Sequence, residues 1–297
     1  MTTRSGTVTL AGRPNVGKST LLNRLVGQKI SITSSRAQTT RHRLLGIKTT
    51  EHAQIVYVDT PGLHTDNKGV MNRYMNRVAT ASLQDVDCVV LMIAASGWSR
   101  ADEFPLKLAI SSGIPVILAI NKIDQLKDRA RLLPLMETSS RKAGFAEIVP
   151  VSARTGANAD DLEKAILKHL PEQPFLYPAD QLSDRGERFH AAELIREQIF
   201  RGFRQEIPYV SAVKIEQFRR TKGALNIEAT IWVEKEGQKP ILIGKDGQNL
   251  KNIGSRARLA MQKQFGAKVH LHLWVKVRKG WSDSDSALRS LGYADGE

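Results

Sequence analysis

The sequence has little of what stabilises secreted or membrane-embedded chains. It holds one cysteine, Cys88. A single thiol cannot build an intrachain disulfide framework and fits a reducing compartment. Its apolar neighbours point to a buried, inert group. Long hydrophobic runs are absent too. The longest, 88–95, has 8 residues, against the ~20 that a transmembrane helix needs. The opening MTTRSGTVTLAGRPNVGKS carries no apolar signal-peptide core. A cytosolic chain is expected, with attachment to a membrane surface left open. Acidic residues are in deficit, 30 against 44 Lys and Arg, for a formal net charge of +14. Such a charge favours a polyanionic partner, either nucleic acid or an acidic membrane surface. With 41% hydrophobic and 25% charged residues the composition is that of a folded globular protein and excludes disorder. No internal repeat or low-complexity tract interrupts it.

At ~100–200 residues per domain, 297 residues suggest two. In the first part, β-branched runs (7–10, 45–49, 55–59, 88–94, 115–121, 147–151) alternate with helical patterns (18–26, 70–82, 101–111, 128–141, 160–169). That alternation predicts a mostly parallel sheet covered on both faces. It stops near Leu170, where Pro171, Pro174 and Pro178 fall too densely for a helix or an inner strand. The expected organisation is an α/β domain over 1–170, a linker over 171–188, an α+β domain over 189–280 and a tail helix over 281–297. The second domain reads helix (189–204), two strands (210–217, 225–233), a short helix (239–243), a longer helix (249–265) and a strand (268–277). In that last strand Val269, Leu271, Leu273, Val275 and Val277 share one face. His270, His272, Trp274, Lys276 and Arg278 share the other, so the sheet is expected to pack on one side only.

The segment Gly12, Arg13, Pro14, Asn15, Val16, Gly17, Lys18, Ser19 matches GxxxxGK[ST], with Thr20 next. It lies between a predicted strand and a predicted helix, the context of a phosphate-binding loop. Backbone N–H groups curl around phosphate there, and the helix start adds partial positive charge. Lys18 can reach the β and γ phosphates, and the Ser19 hydroxyl can ligate Mg²⁺. Asp59, Thr60, Pro61 and Gly62 end a strand 41 residues past Lys18. The carboxylate can hold a metal-bound water and the Gly62 N–H can meet a γ-phosphate. Asn121, Lys122 and Asp124 end another strand in NKID. A carboxylate there accepts both N1–H and the exocyclic amine of guanine, whereas adenine would present an acceptor to it. Ser152, Ala153 and Arg154 follow the next strand, and the Ala153 N–H can donate to guanine O6.

In the second domain Ile243, Gly244, Lys245, Asp246 and Gly247 form a GxxG loop that enters a helix whose Leu250, Ile253, Ala257 and Met261 share a face. Residues 239–279 hold ten Lys and Arg, Lys251, Arg256 and Arg258 among them, against the single acid Asp246, a balance of +9. Two glycines let a nucleic-acid backbone lie close, the helix start and Lys245 favour phosphate, and a basic groove supplies salt-dependent affinity. His270 and His272 share a face without a third ligand, which argues against a metal site.

The order and spacing of the first-domain motifs resemble the Ras-like GTPases. The GxxG loop, with an Ile before its first glycine and Ile253 six residues after its second, resembles prokaryotic-type KH domains. Together GRPNVGKSTLLN, ISITSSRAQTTRHR, VDTPGLH, NKID, VSARTG, GKDG and KVRKGWSDSDSALRSLGY resemble the Era family of bacterial GTPases, related to TrmE-type enzymes, over essentially the whole chain. The resemblance implies GTP and GDP binding, Mg²⁺ held by Ser19, Thr40 and Asp59, and hydrolysis that depends on Lys18, Thr40, Gly62 and Asn15. Thr40 is preferred to Thr39 because related GTPases place the ligand just before Arg. Many Ras-like proteins carry a water-orienting Gln after DxxG. Here Leu63 stands there, and a K⁺ ion held at Asn15 is the expected substitute. The resemblance further implies binding of the 3′ end of small-subunit ribosomal RNA, a role in maturation of the 30S subunit, a monomer, and cytoplasmic residence with some peripheral membrane association. Two rival readings are an ATP-using motor or kinase, which NKID opposes, and an RNA chaperone whose nucleotide site is only structural, which Leu63 keeps open.

Overall fold

The computed structural model describes residues 3–63 and 69–293. His64 of the VDTPGLH segment and the last four positions of the expected tail lie outside the described residues. The described residues divide into two compact units between Asp184 and Arg185, with 69–74, the start of the helix after the third strand, clustering with the second.

The first unit runs β1 (Arg4–Ala11), α1 (Lys18–Val26), β2 (Leu44–Thr49), β3 (Ala53–Asp59), α2 (Val70–Ala81), β4 (Cys88–Ala94), α3 (Arg100–Ser111), β5 (Val116–Asn121), α4 (Leu132–Ser140), β6 (Glu147–Pro150) and α5 (Ala159–Leu167). Its sheet has the order β2-β3-β1-β4-β5-β6. Only β2 is antiparallel, pairing with β3. Every residue of β3, β4 and β5 is buried, as expected for strands covered on both faces. Full burial of one Leu, Ile or Val contributes about 1.5–3 kcal/mol, so these strands carry much of the unit's stability. Cys88 lies wholly inside, and burial pushes its thiol up to about 12, which makes it the inert group expected. The ends of β1, β3 and β5 and the turn after β6 emerge at the carboxyl edge of the sheet, where α/β folds place their ligands.

Residues 171–184 are not a free linker. Pro171 accepts from the Ser5 N–H, the Leu182 carbonyl accepts from the Ile47 N–H at 2.9 Å, and Asp184 Oδ1 accepts from the Leu45 N–H at 2.9 Å. The Gln54 amide bridges this segment through Leu176 and Tyr177. Strand β2 is an edge whose N–H groups need partners, and a proline-rich segment can supply carbonyls without a strand of its own. Proline density marked missing secondary structure, not missing packing.

The second unit follows the expected order: α6 (Glu187–Gly202), β7 (Ala212–Thr221), β8 (Ala224–Val233), α7 (Gln238–Ile243), α8 (Gln248–Phe265) and β9 (Lys268–Val277). Its sheet is β7-β8-β9, antiparallel then parallel. One face packs on α6 and α8 through a core of Leu194, Ile195, Ile227, Ile231, Ala257 and Met261 among others. The tail is a single turn at Trp281–Asp283 and then α9 (Asp285–Ser290), where the Ser284 side chain accepts from the Ala287 N–H. Buried Trp281 donates from Nε1 to the Val210 carbonyl at 3.0 Å, and Glu234 accepts from the Gly280 and Ser282 N–H groups. The tail is therefore pinned to the unit it follows. Among the described residues no helix is long and apolar enough to cross a membrane.

Candidate functional site

The loop between β1 and α1 wraps the start of α1 and positions Lys18 under it. Lys18 Nζ donates to the carbonyls of Gly12 at 3.0 Å and Arg13 at 3.1 Å. The residue is 6% exposed. Burial lowers its ammonium from 10.5 to about 8, Asp59 opposing the shift and Arg13 adding to it. A buried cation ringed by carbonyls is suited to anionic oxygen. Gly17 has φ +108, and a Cβ there would stand 2.3 Å from Asn121 Nδ2. Gly62 sits against the loop from the other side, where a Cβ would meet Pro14 Cα at 2.8 Å. Gly17 is required by its positive φ and the Asn121 side chain packed against it, Gly62 by the close approach of the Pro14 backbone.

Asp59 is the hub of the hydroxyl cluster. Its Oδ2 accepts from Ser19 at 2.7 Å, Ser31 at 2.8 Å and Thr40 at 3.3 Å, and the Ser19 and Thr40 hydroxyl oxygens are 2.8 Å apart. Burial raises its carboxyl above the usual range, and the Ser19 hydrogen bond, Lys18 and the other hydroxyls oppose the shift. Its Oδ1 is buried without a hydrogen-bond partner. An orphaned carboxylate oxygen beside two hydroxyls is the donor set of a hard divalent cation, so these residues fit Mg²⁺. Among the described residues no group of three or more His, Cys, Asp or Glu could hold a metal ion.

The strand-end loops expected to read the base are tied directly to the phosphate loop. Asn121 Nδ2 donates to the Val16 carbonyl at 2.8 Å, while its Oδ1 accepts from the Ala153 N–H at 2.9 Å. Lys122 Nζ donates to the Asn15 carbonyl at 2.7 Å. Ser152 Oγ donates to Asp124 Oδ1 at 2.6 Å, and Arg154 makes an ion pair with Asp124 Oδ2, also at 2.6 Å. One wall of the cleft comes from Pro14, Asn15, Gly17, Lys18, Ser19 and Thr20. The other comes from 32–34, Arg36, 38–40, Thr60 and Gly62. Thr40, not Thr39, reaches Asp59: Thr39 donates to the Arg36 carbonyl at 2.8 Å and contacts Ser34.

Two residues of this site, Ser31 and Asp102, were not singled out by the motifs. Ser31 reaches Asp59 because Asn23 Oδ1 accepts from the Ile30 and Ser31 N–H groups. Buried Asp102, at the start of α3, pairs with Arg13 Nε at 3.0 Å and caps the helix through Ser99. Leu63 is 1% exposed and packs in the core with Ala11, Leu91 and Ile93, so it does not face the cleft.

In the second unit α8 and β9 wall a groove of about 380 Å³ lined by Gly247, Leu250, Lys251, Gly254, Ser255, Arg258, Leu271 and Leu273. Of the expected contact residues, Gly247, Lys251 and Arg258 line it. Ile243, Gly244, Lys245 and Asp246 form the turn beside it; Gly244 has φ +75, and a Cβ there would meet Asn249 Cγ at 2.6 Å. Arg256 is not among the lining residues; at ~100° per residue it lies about 200° round the helix from Arg258. Leu271 and Leu273 were read as plain core positions, yet they are half-buried and floor the groove.

A family model described as 50S ribosome-binding GTPase matches residues 7–122, and one described as KH domain matches 206–282. GTPase Era of Marinobacter nauticus is 52% identical over 292 residues, 98% of this chain and 96% of that protein. The chain belongs to the Era family of GTPases. GTPase Era of Pseudomonas aeruginosa is 50% identical over the same span. Two solved Era structures superpose with a TM-score of 0.95 each and cover 98% of this chain and 99% of theirs. One, 42% identical, is a variant of Aquifex aeolicus Era bound to GDP and aluminium fluoride. The other, 43% identical, is Era in complex with MgGDPNP and nucleotides 1506–1542 of 16S ribosomal RNA. The first unit is thus a Ras-like GTPase domain and the second a KH domain, and the protein hydrolyses GTP. Mg²⁺ accompanies the nucleotide in Era, in keeping with the hydroxyl and carboxylate set around Asp59. The ATP-using and purely structural readings are set aside.

Proposed function

We propose that this chain is a GTP-operated switch that binds the single-stranded 3′ end of small-subunit 16S ribosomal RNA and assists maturation of the 30S subunit. The observation that carries the nucleotide half is the double role of Asn121, which joins the phosphate loop at Val16 to the base-reading turn at Ala153 in one side chain. Phosphate placement and base selection then share one rigid frame. The RNA half rests on the GxxG turn and basic groove, together with the 16S RNA bound in the related Era complex.

In this reading Gly12, Arg13, Pro14, Asn15, Val16, Gly17 and Thr20 cradle the phosphates. Asp124 selects guanine with help from Ser152, Ala153, Arg154 and Lys122. Mg²⁺, when bound, neutralises charge on the β and γ phosphates. Ser19 and Thr40 hold it with their hydroxyls, and Asp59 does so with the oxygen left without a partner. Lys18 offsets charge on the transferring phosphoryl group, and the Gly62 N–H, beside Thr60 and Pro61, meets the γ-phosphate. Water attacks γ-phosphorus and GDP leaves. No side chain is placed as a base, in line with a reaction governed by positioning and electrostatics.

With Leu63 in the core, a further cation at Asn15 is the device left to supply charge. Asn15 has φ +62 and faces the cleft on an exposed turn. Exchange of K⁺ for Na⁺ should lower multiple-turnover phosphate release by about tenfold or more, equivalent to at least ~1.4 kcal/mol of barrier. Equal rates in the two salts contradict a K⁺ site. Loss of the γ-phosphate releases the segments around Thr40 and Gly62, and that release weakens or strengthens the KH domain's hold on RNA. In keeping with the single thiol, the net charge of +14 and the family, the protein acts as a cytoplasmic monomer with peripheral attachment to the acidic membrane face. A labelled oligonucleotide of the 3′-terminal 16S sequence should stay bound against excess RNA of the same composition in shuffled order. Equal displacement by the shuffled RNA overturns the assignment of the ligand.

A further inference from the structure

The KH sheet has a second face, opposite the one that packs on α6 and α8. Strand pairing arranges it in rows: Trp232 beside Lys276, Lys214–Thr230–Trp274, Glu228 beside His272, Asn226 beside His270, and Ala224 beside Lys268. Trp274, on the edge strand β9, is 46% exposed and stacks on His272 with ring centroids 6.3 Å apart and planes at 24°. Arg278 lies over the buried Trp232 ring at 4.1 Å and Lys214 lies over it at 5.8 Å. Both cations are therefore held in place before any ligand arrives. Lys268, Lys276 and Arg278 are exposed. The acids on this side are Glu228, within the rows, and Glu216, on the bulge of β7, which pairs with Lys214 at 3.2 Å.

An exposed tryptophan on a sheet face usually signals an apolar contact with another protein. Here its row and strand neighbours are Thr230, Lys214, His272 and Lys276, so the apolar patch that a protein interface core requires is missing. A half-exposed indole, bordered by preset cations, suits a different ligand: planar bases on a charged backbone. We propose that this outer sheet face is a second RNA-binding surface, with an unpaired base stacked on Trp274 and adjoining phosphates held by Lys276 and Arg278. The proposal rests on the KH domain's reading as an RNA binder but not on its groove, which lies against the other side of β9. It gives the protein a grip on RNA longer than the few nucleotides a GxxG groove can hold, and two linked contacts bind more tightly than either alone.

The test uses the full chain and a labelled single-stranded oligoadenylate of about 20 nucleotides, long enough to leave the groove, with anisotropy read at one fixed salt concentration. In the groove-blocked Gly247→Asp chain, residual binding should fall about tenfold on adding Trp274→Ala, the effect of one lost stack. It should be largely kept by Trp274→Phe. Lys276→Gln should reduce the slope of log affinity against log salt by about 0.7, one phosphate's worth on a single strand. Unchanged binding in both Trp274→Ala and Lys276→Gln overturns the proposal, as does displacement by polyglutamate as effective as by RNA, which would mark the face as a seat for acidic protein. Full binding by Gly247→Asp with loss in Trp274→Ala would instead refute the groove and leave this surface standing.

Discussion

Replacing Lys18 by alanine is expected to lower GTP turnover by at least about a thousandfold, the upper range for removing one preorganised charge from a phosphoryl-transfer site. Lys18 is buried, its ammonium is already pressed down to about 8 by that burial, and its donors are spent on the Gly12 and Arg13 carbonyls. Incoming phosphate oxygens would relieve the desolvation that depresses it, so the residue contributes more with ligand than without. Alanine also frees two carbonyls that would then face the γ-phosphate. The fold should survive, because the loop is held independently by Asn121 and Lys122. Multiple-turnover phosphate release measures the loss. RNA affinity of the GDP-loaded chain should stay within about threefold of the parent, a difference below ~0.7 kcal/mol. A turnover within tenfold of the parent would mean that the catalytic charge comes from elsewhere.

The complementary change, Gly247→Asp, should abolish RNA capture by the groove and leave turnover intact. Gly247 is the N-cap of α8 with φ +74, a conformation that Asp tolerates better than most residues. A Cβ there meets nothing within 4 Å, so the cost to the folded state is confined to the left-handed backbone, about 1 kcal/mol. The new carboxylate, however, stands where the phosphate backbone must pass. Two like charges about 4 Å apart repel by roughly 1–4 kcal/mol between bulk and surface dielectric values, and the helix start loses its vacancy for an anion. For an oligonucleotide just long enough to fill the groove, affinity should drop at least about thirtyfold, ~2 kcal/mol. Thermal unfolding of the parent and the variant should coincide within a few degrees, which separates the effect from misfolding. Unaltered affinity would place RNA elsewhere on the domain.

The two domains were unequally legible in the sequence. Asp59, Gly62, Asn121 and Asp124 could be found because each sits at or just after a strand end, and Lys18 because it opens the helix after a glycine loop, places where backbone geometry restricts the residue type. Gly17 and Gly62 show how strict that restriction is, since any side chain would collide with Asn121 or Pro14. Ser31 and Asp102 could not be found by the same route. Their roles depend on contacts across 28 positions to Asp59 and from α3 to the phosphate loop, and neither falls in a spaced motif. Leu63 was read only by what it lacks, a hydrogen-bonding group. Its burial shows that the side chain serves the core instead. In the KH domain the alternation along β9 revealed which side chains share a face. It could not show that Leu271 and Leu273 are covered only in part and line the groove as well as the core. Arg256 and Arg258 look equivalent in a count of charge, and only the helical repeat separates them.

The nucleotide is expected to set the hold on RNA. The most direct test is the affinity of the full chain for one 3′-terminal 16S oligonucleotide, measured at a single salt concentration with a non-hydrolysable GTP analogue and again with GDP. Coupling between two sites is commonly ~1–3 kcal/mol, so the two affinities should differ by about fivefold or more. By reciprocity, the same RNA should shift the ratio of analogue to GDP affinity by the same factor. Equal RNA affinities in the two nucleotide states would contradict the claim and leave a GTPase and an RNA-binding domain that merely share a chain.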